Sequence, residues 1–449
     1  MKKIIALLLA LVMVLGLVAC AAKPAGEKKE DPKQEEKKEE KKEESKEEHE
    51  NVSFEVYIAQ VDWADAWEEM EARFEEQYPW IDVQHVGLGS DADFLQTRMS
   101  TNDLPAVIQC NNGPNMNQLV AENKLADLTN YTAAQYMPKA YADAYSFDGK
   151  LVGLCQGAAF SCIFYNMDIL EKAGWTNVPT NWDELIQCCK DVQEKTGVAP
   201  LVTAAGKTTT SWMIFELLIG NYAASKLQSG EYEQQFLDGK FDFTAYPELV
   251  SKLDEIAPYF LEGTAAAKED DVTAYMHDGL AAMAIAGNWN GGVICPAIAE
   301  CAGDPSKVKA GLPPFNPAGQ PSWISVSPED AFCVTVDDSR SAAEQEAIDL
   351  FFNWVWEAEN FALIQNARGT VPVGTNMTEE YIVLQDALVP VVADMGSAPF
   401  VKMGFNLWTA EFKDAGCGKI CDVLSGNTNA QDAVDTMWKV EQEYYINKK

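Results

Sequence analysis

Four short polar segments, each directly behind an apolar run, hold the side chains best suited to grip a small molecule. They are Gln60, Asp62 and Trp63; Asn111, Asn112 and Gly113; Thr208 to Trp212; and Gly287-Asn288-Trp289-Asn290. Amides and hydroxyls exchange hydrogen bonds with a polyol, and a flat indole covers the apolar face of a sugar ring. The same residue types cap helices and close turns, so one segment alone would mean little; four together point to ligand binding. No comparable set supports catalysis. Ser306-x-x-Lys309 and Lys195-Thr196-Gly197 are elements of penicillin-recognising hydrolases, but they stand in the wrong order with no Ser-Asp-Asn between them. Gly-x-Ser-x-Gly, His-Glu-x-x-His and the complete phosphate-loop motif Gly-x-x-x-x-Gly-Lys-Ser/Thr are absent from the sequence. With only three histidines, His49, His85 and His277, a zinc site is not expected, and no other cofactor is implied. Paired carboxylates keep an exported glycan-acting hydrolase open as an alternative.

The elements that must position these segments alternate between strand and helix. Val52, Phe54, Val56 and Ile58 alternate with polar residues, which reads as a strand. Trp63, Trp67, Met70, Phe74 and Tyr78 follow at helical spacing up to Pro79, and Ile81 and Val83 mark a second strand. Leu104 to Ile108 is an apolar run short enough for a buried parallel strand, and Leu201-Val202-Thr203 and Ala281 to Ala286 read likewise. Long helices are expected near Glu344 to Gln365 and Ala430 to Ile446. This pattern predicts doubly wound α/β lobes, in which ligands bind beyond the carboxyl ends of the strands. The body from residue 51 onward is too long for one core and calls for two.

Before that body stands a targeting segment. Met1-Lys2-Lys3, an apolar run from Ile4 to Leu15, and Leu17-Val18-Ala19-Cys20 form a secretory signal closed by a lipobox, too short for a membrane span. Residues 1–19 are therefore expected to be removed and Cys20 to become a lipidated N-terminus on the outer face of the cell membrane. Two lipid signals, a diacylglycerol and an amide-linked chain, suffice for stable anchoring. Residues 20–50 read as a disordered tether, since Glu27 to Glu50 is almost purely Glu and Lys with like charges at i,i+4. A coil from Pro24 to Glu50 has a root-mean-square span of roughly 30 Å.

The body carries 57 acidic against 23 basic residues, a net charge of −34, which disfavours nucleic acid as a partner. Twelve Trp in an exported acidic chain raise the expectation that several line a ligand cleft. The ten cysteines after Cys20 form no Cys-x-x-Cys pair and read mostly as small apolar filler.

Five stretches in order resemble the extracellular solute-binding proteins of bacterial ABC importers, above all the class that carries sugars and oligosaccharides. They are Gly153-Leu154-Cys155-Gln156 with Ile163 to Gly174; Pro179-Thr180-Asn181-Trp182-Asp183-Glu184-Leu185; Asp278 to Met283 running into Gly287-Asn288-Trp289; Gly311-Leu312-Pro313-Pro314; and Arg368-Gly369-Thr370-Val371-Pro372. Cys155 replaces the family's usual Pro. The resemblance implies a fold like the type II periplasmic binding proteins, with two lobes joined by hinge crossovers near residues 156–161, 325–330 and 368–372. One lobe would hold residues 51–157 plus 330–367 and the other 158–329 plus 368–449. It further implies a monomer that closes on its solute and presents it to permease subunits. Trp289 matches the family's stacking aromatic and Trp408 a looser second one, while Arg368 would bond the solute or brace a crossover. With Trp289 and Asn288 on one lobe, and Asn112, Asp62, Trp63 and Gln60 on the other, the expected site also draws on Trp212. A polyamine or a peptide is the alternative solute, the former through cation–π contact in an acid-lined aromatic pocket.

Overall fold

The computed structural model describes residues 49–59, 64–88, 93–206, 208–228, 230–368, 371–378, 380–381, 384–395, 397–402 and 410–447. Parallel strands β1 (Val52–Tyr57), β2 (Ile81–Val86) and β3 (Val107–Cys110) open the chain. The helix Ala64–Gln77 joins the first two and buries Trp67, Met70 and Phe74, one face at helical spacing. A hairpin of β4 (Ser146–Phe147) and β5 (Lys150–Leu151) precedes β6 (Leu154–Cys155). One residue later the chain enters β7 (Gly157–Asn166), the centre of a different sheet, joined there by β8 (Ala199–Val202), β9 (Ala281–Gly287), β10 (Val308–Gly311) and β11 (Ile324–Pro328). It returns to the first sheet as β12 (Ala331–Val334) and crosses again to pair β13 (Val371–Pro372) with β7, before β14 (Phe400–Lys402) closes the edge beside β11. The strand orders are β2-β1-β3-β12-β6 in one sheet and β14-β11-β7-β9-β8 in the other, with β10 and β13 also on β7.

Every residue of β7 is buried, and the reason is its place between two cores. Phe160, Cys162 and Phe164 face one cluster with Val202, Ala284 and Ala286, whereas Ile163 and Tyr165 face the other with Leu201, Met283 and Ile285. A central strand with helices on both faces reads as a continuous apolar run. The first sheet has its own core around Val56, Trp67, Ile108, Phe332 and Phe351. Two sheets, the first with one core and the second with a core on each face, make the two doubly wound lobes.

Three details depart from the sequence reading. The expected helix from Glu344 to Gln365 is two helices, Ala342–Val355 and Ala358–Arg368. The break lets Trp356 stack on Phe361 with ring centroids 4.3 Å apart, while Asn360 donates to the Trp354 carbonyl at 2.8 Å. Thr208 to Trp212, read as a loop behind a strand, open the helix Thr208–Tyr222. The boundary at 368 also fails locally: beyond β13, Thr375 N–H donates to Tyr136 O at 2.8 Å and Met377 is buried in the first lobe's core. An apolar side chain placed near the crossover takes whichever core lies closer.

The crossovers are tied to one another. Gly157 lies so close to its neighbours that a Cβ there would sit 2.8 Å from Val371 O and 2.9 Å from a Glu329 carboxylate oxygen. Cys155, in place of the expected Pro, donates its thiol to Gly157 O at 2.9 Å. Tyr145 Oη donates to Glu329 O at 2.5 Å. Burial raises the Cys155 thiol pKa, so it stays a neutral donor there.

Candidate functional site

Strand directions place the site. In the first sheet β12 runs antiparallel to β3 with Ala331 opposite Cys110, so the crossover leaves from the carboxyl end of β3. In the second sheet Ser161, near the start of β7, is opposite Gly287, the last residue of β9, so the crossover enters at the carboxyl ends of β9 and its parallel neighbour β8. The carboxyl edges of both sheets therefore meet at the joint, where helix N-termini and strand ends offer unused backbone groups.

On the second lobe Trp289 stands one residue beyond Asn288, in the turn that follows β9. Its indole folds back over Gly287 so closely that a Cβ there would lie 2.2 Å from the ring. Only glycine leaves room for the ring, which explains the Gly-Asn-Trp order. The indole N–H reaches toward Glu269 at 3.4 Å, and the side chain is half-buried against the lobe core. Asn288, also expected at the ligand, has its side chain engaged by the protein itself. Its Oδ1 accepts from Phe160 N–H at 2.8 Å and its amide donates to Ala158 O at 2.9 Å, with no exposed surface, so it clamps β9 to β7. Trp212, also expected at the ligand, is core: it is 1% exposed, packs edge-on to Phe215 and Phe412, and is met by Gly416. The helix that begins at Thr208 turns that indole into the lobe core.

The second lobe also holds a buried acid on the helix Thr208–Tyr222. Glu216, 5% exposed on the helix Thr208–Tyr222, accepts from Ser325 Oγ, and Ser325 N–H donates to Ser161 Oγ at 3.2 Å. A single Glu inside the run Trp212 to Leu218 was the available signal. On the first lobe Asn112 is half-buried and its amide donates to Ala144 O at 2.5 Å, which braces the loop behind β3. Gln60, Asp62, Trp63 and Trp408 lie outside the described residues, as do Cys20 and the tether up to residue 48. Arg368 ends its helix, and its side chain lies outside them too.

All ten cysteines of the body are free thiols and eight are buried, in keeping with apolar filler. Among the described residues no group of three or more His, Cys, Asp or Glu could hold a metal ion. A groove of about 500 Å³ opens on the second lobe beside Asp168, Lys172, Lys195 and Cys301, away from the joint. Its lysines are already paired, Lys172 with Asp168 at 2.7 Å and Lys195 with Asp191 at 2.8 Å.

Comparison with known proteins agrees with this layout. A chitin oligosaccharide binding protein superposes with a TM-score of 0.72 at 17% identity, covering 88% of this chain and 99% of that one. A sugar transporter from Bacillus licheniformis, solved with stachyose, gives 0.69 at 16% identity over 88% and 99%. RafE in complex with raffinose gives 0.69 at 19% identity over 88% and 100%. At these identities the likeness establishes the fold. A curated putative binding protein from Brucella abortus (strain 2308) is 53% identical over 38 residues, a segment spanning 8% of this chain and 9% of that relative. The model of the bacterial extracellular solute-binding protein family matches residues 69–390. With most of its body inside that match and the fold to go with it, the chain belongs to the bacterial extracellular solute-binding proteins.

Proposed function

We propose that this protein captures a carbohydrate, most simply an oligosaccharide, between its two lobes and delivers it to the permease of an ABC importer without chemical turnover. The observation that carries the reading is Trp289, whose indole lies flat over Gly287 at the carboxyl edge of β9, beside the joint between lobes. A flat aromatic platform next to hydrogen-bonding side chains fits a sugar ring, whose faces are apolar and whose rim is hydroxylated. Support also comes from structural neighbours whose own names or bound ligands are chitin oligosaccharide, stachyose, raffinose and maltose. A polyamine is the second reading, because the acid Glu269 stands at the edge of the Trp289 indole and an ammonium could sit over the ring.

A thermal-shift screen with raffinose, maltose, chitin oligosaccharide, spermidine and a short peptide separates these readings. At a concentration of 100 Kd a ligand that binds only the folded protein stabilises it by about 2.7 kcal/mol. An oligosaccharide is expected to raise Tm and to be recovered intact afterwards; a response to spermidine alone would overturn the carbohydrate reading, and cleaved sugar would overturn the binder reading.

The same proposal places the protein on the outer face of the cell membrane, held by lipid on Cys20. Among the described residues no helix is long and apolar enough to cross a membrane. Cys20→Ala protein is expected to leave the membrane fraction for the soluble one, as cell fractionation would reveal; equal retention would count against lipid anchoring.

A further inference from the structure

Gln156 is the single residue between β6 and β7, at the joint itself. Its side chain has no exposed surface, yet neither its amide nitrogen nor its amide oxygen has a hydrogen-bond partner. Buried polar groups are nearly always satisfied, and leaving one unmade is costly, so such a side chain calls for an explanation. Holding the crossover is not it. The Gln156 backbone N–H already donates to Asp330 O at 3.2 Å, and the neighbouring Cys155 thiol, at 3.5 Å, and the Tyr145 hydroxyl both donate to Glu329 O on the other crossing.

Register shows where the side chain belongs. Phe332 on β12 is opposite Gln109 on β3 and Leu154 on β6, and side chains two residues apart on a strand share a face. Gln156 therefore continues the Gln109–Phe332–Leu154 face by one row toward the carboxyl edge of β3, level with Asn111. Trp67 packs edge-on to Phe332 on this face, with centroids 5.5 Å apart. The indole N–H of Trp67 and the amide nitrogen of Gln109 are likewise buried without partners. Several unfilled donors and one unfilled acceptor thus gather under the edge where the two lobes meet.

We propose that Gln156 is a solute-contacting residue on the floor of the cleft, its amide donating to and accepting from adjacent hydroxyl groups, with Gln109 and Trp67 extending the row of donors beneath it. A hydroxyl both gives and accepts a hydrogen bond, which matches an amide with both ends open. Because Gln156 sits at the joint, rotation of one lobe on the other changes what covers it, and its partner belongs to the loaded arrangement. The inference rests on the carbohydrate reading for the identity of the solute. It does not rest on that reading for the stability it forgoes.

Two variants, Gln156→Leu and Gln156→Met, remove the amide at similar volume. Unliganded Tm is expected to rise by several degrees in both, since a group kept for binding at the expense of stability is replaced by an apolar one. Calorimetric Kd for whichever of raffinose, maltose or chitin oligosaccharide binds the wild type is expected to rise at least tenfold. A fall or no change in Tm for both variants would mean the amide has a structural role, and a raised Tm with unchanged Kd would mean it never meets the solute; either overturns the assignment. Wild-type protein indifferent to all three sugars refutes the carbohydrate reading by itself, and the unliganded Tm comparison then decides Gln156, a rise supporting it and a fall or no change overturning it.

Discussion

Replacing Trp289 with alanine is expected to raise the Kd for the bound oligosaccharide at least thirtyfold. Loss of a central aromatic anchor often costs 2 kcal/mol or more, whereas one neutral hydrogen bond is worth roughly 0.5–1.5 kcal/mol. The indole is held over Gly287 by the turn itself, so little ordering is left for binding to supply. Because one part of the ring packs against the second lobe's core, unliganded Tm should fall modestly as well. Asn288→Ala is the mirror image. It strips partners from Phe160 N–H and Ala158 O in a fully buried place, so stability should drop by roughly 1–3 kcal/mol while any loss of affinity follows only from the displaced Trp289. Calorimetry and thermal melts on the two variants separate platform from clamp. Intact affinity with a large fall in Tm for Trp289→Ala would make that indole core and move the site elsewhere.

Glu441→Gln is expected to stabilise the protein increasingly as pH rises from 5 to 8. Glu441 is 1% exposed on the helix Ala430–Asn447, and neither carboxylate oxygen has a hydrogen-bond partner. Burial, and secondarily the negative Asp242, push its pKa up from 4.5 to about 9. The folded protein therefore keeps a proton that the unfolded chain releases above about pH 4.5. Its contribution is fully present below pH 4.5 and is lost progressively as pH rises toward 9, because the native state binds more protons throughout that window. One pKa unit corresponds to about 1.4 kcal/mol, so the penalty by pH 8 is on the order of several kcal/mol. The glutamine variant escapes it. Its Tm advantage over wild type should grow by several degrees between pH 5 and pH 8, and parallel melting curves across that range would contradict the assignment. The difference between the two curves is the measurement, since a buried glutamine amide brings a pH-independent cost of its own.

Much of the architecture was legible because it rests on local periodicity. The alternation at Phe54 and Val56, the helical spacing of Trp67, Met70 and Phe74, and the run Ala281 to Ala286 each report burial directly, and each became the expected element. Gly287-Asn288-Trp289 was legible as a special turn at a strand end, but the division of labour inside it was not. Which of the two polar residues faces outward depends on whether β7 passes within hydrogen-bonding distance of Asn288, and β7 is more than 120 residues away in the chain. Trp212 failed for a related reason. Its segment was correctly placed behind β8, yet the helix began there and rotated the indole into a cluster with Phe412, from a distant part of the chain.

By itself the sequence determined the most strongly periodic strands and helices, the acidic body, the family and the expectation of two lobes, because side-chain spacing and composition are properties of neighbouring residues. Tertiary structure alone decided which polar groups are spoken for. Asn288 is consumed by a backbone, Glu216 is buried with Ser325, and Met377 is drawn into the first lobe's core. Gln156 at the joint is left with both amide ends open. Hydrogen-bond satisfaction is a count over partners that the chain brings together only on folding, so no reading of spacing can supply it.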